Sequence, residues 1–254
     1  MHPALRAFNL MPIQTQIFDT SDQVAQSAAN TIATLIRNKP DAVIGLATGS
    51  TPVKTYAELI GLHRNENLSF AKVTTFNLDE YWGLDGDHNQ SYRHFMQNLF
   101  FDRIDIRPWN THVPNGKAVD PALEGEAFEA KIRACGGVDL WLLGIGSNGH
   151  IAFNEPGSPP DSRTRQIDLT PETIHANTRF FQNQEDVPRK AITVGIATIH
   201  DARQVLLLAT GEGKSKAIKQ ALQDPPSSQC PASFLQNHPN CTFMLDKEAS
   251  SQIT

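Results

Sequence analysis

Two short stretches of this chain carry side chains suited to moving protons. Asp79 and Glu80 stand side by side at the end of an apolar run, KVTTFNLDEY, next to Tyr81 and Trp82. Partial removal from water raises a carboxyl pKa, so an acid in such a place can become a base that takes a proton from carbon. The plain alternative is an exposed turn with two solvated acids. His150 follows a glycine-rich loop in GIGSNGHIAFNEPG, with Asn148 just before it and Glu155 shortly after. Polar neighbours of this kind fix the tautomer and orientation of an imidazole. A lone histidine is more often structural, but this one stands inside a polar cluster.

Two further stretches suit an anion. Thr48, Gly49, Ser50 and Thr51 of ATGSTP lie between an apolar run and a helical pattern. Backbone N–H groups, hydroxyls and the positive end of the following helix can cradle a phosphate there, although a plain tight turn is the alternative. Lys214 lies in a second turn, residues 211–214 of ATGEGK. Neither turn is a P-loop, and no GxGxxG followed by an acid marks a dinucleotide site. The nine histidines form no HxxxH-type pair, and Cys135, Cys230 and Cys241 are scattered without CxxC spacing, so no metal site is expected. GxSxG is also absent, and Ser147 has no evident base partner, which makes nucleophilic catalysis the weaker idea.

The elements that must position these residues follow from the alternation of apolar runs with helical patterns. A helix starts at Thr20, where Thr20 and Gln23 have capping-box spacing, and runs towards Pro40. A buried strand over 42–46 leads through the TGST turn to a helix from Pro52 to about Leu62. The pattern recurs as a strand over 72–81, a helix over 121–134 and a strand from Val138 into the GIGSNG loop. Then come AITVGI and QVLLLAT, a helix after the second glycine turn, and a last strand, CTFML. Continuous apolar runs indicate strands covered on both faces, as in a parallel sheet. The expectation is an α/β fold, a Rossmann-like three-layer α/β/α sandwich with a mostly parallel sheet. Ligands of such sheets sit beyond the carboxyl ends of the strands, where all four unusual stretches fall.

The formal net charge of −5 excludes the overall basic field of a generic nucleic-acid binder, and no run is long and apolar enough to span a membrane. The odd cysteine count fits a reducing compartment, and the first residues lack the charged start and apolar core of a secretory signal. A cytoplasmic, single-domain chain over 1–254 is expected, with 1–10 a peripheral extension and Met11 an alternative start.

Taken together, ATGSTP, TTFNLDEYWGL, NQSYRHFM, GIGSNGHIAFNEPG, SRTR, NTRFF and TVGIATI, in this order, resemble the glucosamine-6-phosphate deaminase family over about residues 12–246. The resemblance implies conversion of glucosamine 6-phosphate and water into fructose 6-phosphate and ammonia, without a cofactor. By motif, His150 would assist ring opening, with Glu155 and Asn148 orienting it, and Asp79 would carry the C2 proton to C1. The backbone around Gly49 to Thr51, with Arg179 of NTRFF and Lys214, would hold the phosphate. Some members carry Asp where Asn148 stands. Hexameric regulated members carry a Lys after SRTR that helps bind N-acetylglucosamine 6-phosphate, where this chain has Ile167 and Asp168, and they have a longer C-terminal extension. No such activation, and a monomer or small homo-oligomer, are therefore expected. Residues 157–183 read as irregular or short-helical, either a lid over the sugar or a static excursion.

Two rivals share the fold. A 6-phosphogluconolactonase-like hydrolase would also use a His after a glycine loop, but FNLDEY stands where a DER-type sequence is expected and NEPG where SLFPG is expected. A non-catalytic sugar-phosphate sensor domain would not need the acid and the base together.

Overall fold

The computed structural model describes residues 13–181 and 183–253, so the expectations about residues 1–10 and Met11 lie outside the described residues. In chain order the elements are β1 (Gln14–Phe18), α1 (Ser21–Asn38), β2 (Val43–Leu46), α2 (Val53–Glu66), β3 (Thr74–Asn77), β4 (Asp79–Tyr81) and α3 (Tyr92–Leu99). They continue with β5 (Thr111–His112), α4 (Pro121–Ala134), β6 (Leu140–Leu143), β7 (Arg165–Asp168) and α5 (Pro171–Asn177). The last are β8 (Lys190–Thr193), α6 (Ile196–His200), β9 (Val205–Ala209), α7 (Ser215–Gln223) and β10 (Cys241–Asp246).

Seven strands form a parallel sheet in the order β1-β10-β9-β6-β2-β3-β5. Its central strands are apolar throughout because alternate residues feed two separate cores. Leu140, Leu142, Leu206, Leu208, Ile44 and Leu46 enter one core with α1 and α2, beside Ile32, Tyr56 and Leu59. Trp141, Leu143, Val205, Leu207 and Val43 enter the other, with Phe128 and Ile132 of α4 and Ala217 and Ile218 of α7. Helices on both faces complete the three layers expected from the sequence. Thr20 makes the expected capping box with Gln23 at the start of α1.

The structure corrects the single strand expected over 72–81. Backbone pairing divides it at Leu78, whose N–H donates to Leu46 O of β2 at 3.2 Å while its carbonyl accepts from Val194 at 2.7 Å. Residues before Leu78 therefore belong to the parallel sheet as β3. Those after it form β4 in a second, antiparallel sheet of order β4-β8-β7. AITVGI likewise does not extend the parallel sheet, because β8 is the middle strand of the small one. Within the segment read as irregular or short-helical, residues 165–168 form β7, paired to β8, and the short helix α5 follows. Strand β1 carries only one apolar pair in QTQIF, mostly exposed at the sheet edge, and gives no periodic signal.

Gly45 is the tightest point of the sheet. A Cβ there would lie 1.6 Å from Cε3 of Trp141, which is fully buried on the neighbouring strand β6. Overpacking a rigid core costs about 1–3 kcal/mol, and a collision this close falls at the upper end. Gly45→Ala is expected to lower the urea-unfolding free energy by about 3 kcal/mol, and Gly45→Ala with Trp141→Leu to recover part of that loss. Strict additivity of the two changes would contradict the packing described.

Candidate active site

The loops after β9, β6, β2 and β3 carry the four unusual stretches, and these strands are consecutive neighbours in the sheet. At about 4.8 Å between strands, their carboxyl ends span about 14 Å. The four stretches are thus gathered along one edge of the sheet.

Asp79 and Glu80 are neighbours with opposite environments, because successive residues of a strand point to opposite faces. Glu80 is 1% exposed and fully engaged. It accepts N–H bonds from Tyr81 and Tyr92 at 2.9 Å and from Arg93 at 3.0 Å, capping the start of α3. Burial raises its carboxyl, and these N–H bonds oppose the rise. Asp79 is 6% exposed and accepts no hydrogen bond through its carboxylate among the described residues. Burial first, and then the charge of Glu80, push it up to about 8. Tyr81 and Tyr92 flank the pair, their ring centroids 4.9 Å apart and their hydroxyls 3.4 Å apart.

The imidazole of His150 rests on Gly146, where a Cβ would lie 2.3 Å from Cε1. Gly146 N–H donates to His150 O at 2.9 Å and Gly149 N–H to Gly146 O at 3.0 Å, closing a tight turn. His150 Nδ1 lies 3.4 Å from Glu155 Oε2. That distance permits charge attraction, but Nδ1 is off the line of a hydrogen bond. Asn148 donates to Glu155 Oε2 at 2.8 Å, and its Oδ1 accepts the His150 backbone N–H at 3.2 Å. It therefore touches the carboxylate and the loop backbone, not the ring. Thr173 of α5 hydrogen-bonds the other oxygen of Glu155. Burial alone would raise Glu155, but His150, Thr173 and Asn148 outweigh it and hold the carboxyl below its ordinary value.

The acid and the imidazole loop meet on β8. Thr193 is the register partner of Asp79, and its Oγ1 accepts the Phe153 N–H at 3.1 Å. Asn154 donates to Val194 O at 2.8 Å, and Val194 N–H donates to Leu78 O at 2.7 Å. Between His150 and Asn154, Ala152 is held at φ 52°, a left-handed conformation that costs an L-residue about 1–2 kcal/mol.

In the loop after β2, between the His150 and Asp79 stretches in the strand order, Gly49 has φ 99° and the backbone N–H groups of residues 48–51 donate to no backbone carbonyl among the described residues. The turn leads into α2, whose first residues have no side-chain cap. Lys214 precedes α7, and its turn is fixed by Asp246 of β10, which accepts the Gly211 N–H at 3.0 and 3.1 Å. Burial, and then the positive charge of Arg179, lower the Lys214 pKa. Two cations thus lie close enough for one to act on the other. No group of three or more His, Cys, Asp or Glu among the described residues is disposed to hold a metal ion.

Asp79, Asn148, His150, Glu155, residues 48–51 and Lys214 lie on these four stretches, and Arg179 acts on Lys214 through its charge. Sequence reasoning missed Thr173, Thr193, Asp246 and the capping role of Glu80, which depend on contacts between distant segments. Gly146 carried a signal, being one of the glycines immediately before His150.

Residues 18–244 match the family model described as glucosamine-6-phosphate isomerases/6-phosphogluconolactonase. Glucosamine-6-phosphate deaminase 1 of Giardia intestinalis is 53% identical over 226 residues, 89% of this chain and 85% of that protein. The glucosamine-6-phosphate deaminase of Shewanella loihica is 52% identical, over 95% of this chain and 90% of its own. A solved monomeric glucosamine-6-phosphate deaminase superposes with a TM-score of 0.93 at 44% identity, over 94% of this chain and 99% of that one. The 6-phosphogluconolactonase of Trypanosoma cruzi reaches 0.76 at 22% identity, over 98% and 100%, which shows a shared fold.

The elevated Asp79 pKa has a thermodynamic consequence. The unfolded chain releases this proton near 3.8 and the folded protein keeps it to about 8. Between those values the folded state binds more protons, so this group makes stability fall as pH rises. Asp79→Asn removes the cost. Its gain over the wild type is expected to be absent below about pH 4 and to grow, by at most about 1.4 kcal/mol per pH unit, towards pH 8. Urea unfolding across this range reads it, and a gain independent of pH would contradict the burial of an uncompensated carboxyl.

Proposed function

Because the chain belongs to the glucosamine-6-phosphate isomerase/6-phosphogluconolactonase family, we propose that its four-loop site performs the reaction of the deaminase branch. The protein is a glucosamine-6-phosphate deaminase, converting glucosamine 6-phosphate and water to fructose 6-phosphate and ammonia. The observation that carries this reading is the joining, through Thr193, of a buried carboxyl that accepts no hydrogen bond among the described residues to the loop that holds His150.

In this reading the phosphate lies against the N–H groups of Thr48, Gly49, Ser50 and Thr51, with Arg179 and Lys214 as counter-charges. Arginine supplies a planar fork and lysine a point charge. His150 takes the proton of the anomeric hydroxyl and returns one to the ring oxygen, opening the pyranose. Glu155, tied by Asn148 and Thr173, is the fixed carboxylate beside the imidazole and holds its place in the site. Asp79 then takes the C2 proton and delivers it to C1. The resulting C2 imine is attacked by water, and the carbon–nitrogen bond breaks with release of ammonia. A base that serves two neighbouring carbons must be close, desolvated and free of strong hydrogen bonds, and Asp79 meets these conditions where Glu80 does not.

The segment 157–183 contributes Thr173 to Glu155, and Glu172 accepts from Ser147 at 3.3 Å, so α5 lies over the site as a lid in this reading. Arg165 of β7 donates to Asn154 at 3.0 Å within the chain, and the segment after it offers Ile167 and Asp168, where the resemblance implies a lysine in regulated members. We therefore place the enzyme among the unregulated forms, acting in the cytoplasm as a monomer or small homo-oligomer.

An ammonia-release assay on glucosamine 6-phosphate tests the reaction. Asp79→Asn is expected to retain sugar-phosphate binding while losing C2 proton exchange with solvent and about 10³-fold in kcat. Wild-type kcat/KM is expected to rise with pH through neutrality as the free-enzyme Asp79, pushed up to about 8, becomes a base. Saturation curves with and without N-acetylglucosamine 6-phosphate are expected to superimpose, and a leftward shift would reverse the assignment to the unregulated forms.

A further inference from the structure

The loop bearing Asn148, His150 and Glu155 is gripped at both ends by one segment distant in sequence, residues 227–233. Ala232 N–H donates to Gly149 O at 2.9 Å, and Gly157 N–H donates to Ser228 O at 2.8 Å. The segment is also closed on itself. Cys230 N–H donates to Ser227 O at 3.0 Å, and Ser233 N–H to Cys230 O at 2.8 Å. Ser233 Oγ accepts the Ser227 N–H at 2.8 Å and donates to Ser227 O at 3.1 Å. Cys230, Ala232 and Ser233 are all buried, and Cys230 and Ala232 belong to the same core as Ala217, Ile218 and Ala221 of α7.

Cys230 makes the closest contact. Gly149 stands at φ 85°, and a Cβ added there would lie 2.5 Å from Cys230 Sγ and 3.2 Å from its Cα. The sulfur therefore sits directly against the backbone of the residue before His150. On the other side of the turn the imidazole lies on Gly146 with equally little room. A loop confined on both sides transmits a displacement at Gly149 to the ring, because packed interiors do not absorb even one extra methylene without movement.

We propose that Cys230 is a positioning residue for His150, setting through Gly149 how the imidazole stands in the site. Its importance for turnover rests on the deaminase reading, but the contact itself does not. The thiol works by size and shape. Burial pushes its pKa up, so it packs as a small neutral group.

Cys230→Leu adds bulk where there is none to spare, and Cys230→Ser keeps the size, with Ala217 O 4.0 Å from the present sulfur. The readouts are the His150 imidazole resonances in ¹H–¹⁵N NMR, assigned with His150→Gln, ammonia release, and binding of 2-amino-2-deoxyglucitol 6-phosphate, which has no ring to open. Cys230→Leu is expected to move the His150 resonances and lower kcat at least about tenfold, since a misplacement of about 1 Å costs on the order of 10²-fold. Affinity for the open-chain compound should change by less than about twofold, and Cys230→Ser should restore kcat to within about threefold. Should Cys230→Leu fail to fold, Cys230→Ala, which leaves a void, is expected to shift the same resonances and lower kcat. Unmoved His150 resonances in the folded variants, or equal losses of turnover and open-chain binding, overturn the proposal. A wild type that releases no ammonia, with His150 resonances still responding to Cys230, would remove the deaminase reading and leave the positioning role standing.

Discussion

The pairing of β4 with β8 is the constraint on which the rest of the site depends. At Leu78 the chain leaves the parallel sheet, its N–H still bonded to β2 and its carbonyl already bonded beside β8. Asp79 is thereby set opposite Thr193, and the hydroxyl of Thr193 holds Phe153 in the His150 loop. Two chemical groups more than sixty residues apart are thus located by one strand neither belongs to. Were the strand after β3 to continue in the parallel sheet, Asp79 would project from its end without this tie.

The same arrangement places local instability where chemistry needs it. Asp79 keeps a buried carboxyl that accepts no hydrogen bond among the described residues, Lys214 is half-buried in the field of Arg179, and Ala152 holds a left-handed φ. Each is unfavourable alone and persists because surrounding contacts over-determine it. Two extensive apolar cores on the faces of the central sheet supply the compensating stability. Glu80 illustrates the contrast. One residue from Asp79 and more deeply buried, it is satisfied by three backbone N–H groups and serves to anchor α3.

Relatives on this fold differ in chemistry while keeping its frame. The Trypanosoma cruzi lactonase superposes over nearly the whole chain at 22% identity, whereas the two deaminase relatives retain about half of the aligned residues. In the proposed mechanism the carboxylate after Leu78 and the imidazole seated on Gly146 decide what is done to the sugar once its phosphate is held.

The local sequence by itself determined the parts whose physics is local. Apolar runs marked β2, β6, β9 and β10, Thr20 and Gln23 marked the start of α1, and four glycine-rich or acidic stretches at strand ends marked the site. Burial on both faces and capping chemistry are written in neighbouring residues, which is why these were legible. Only the tertiary structure decided that FNLDEY divides between two sheets, that β8 stands antiparallel to β4, and that Asn148 and Thr173 bear on Glu155 and not on the ring. Those outcomes turn on backbone hydrogen bonds and packing between segments far apart in the chain, whose partners no local pattern of residue types can name.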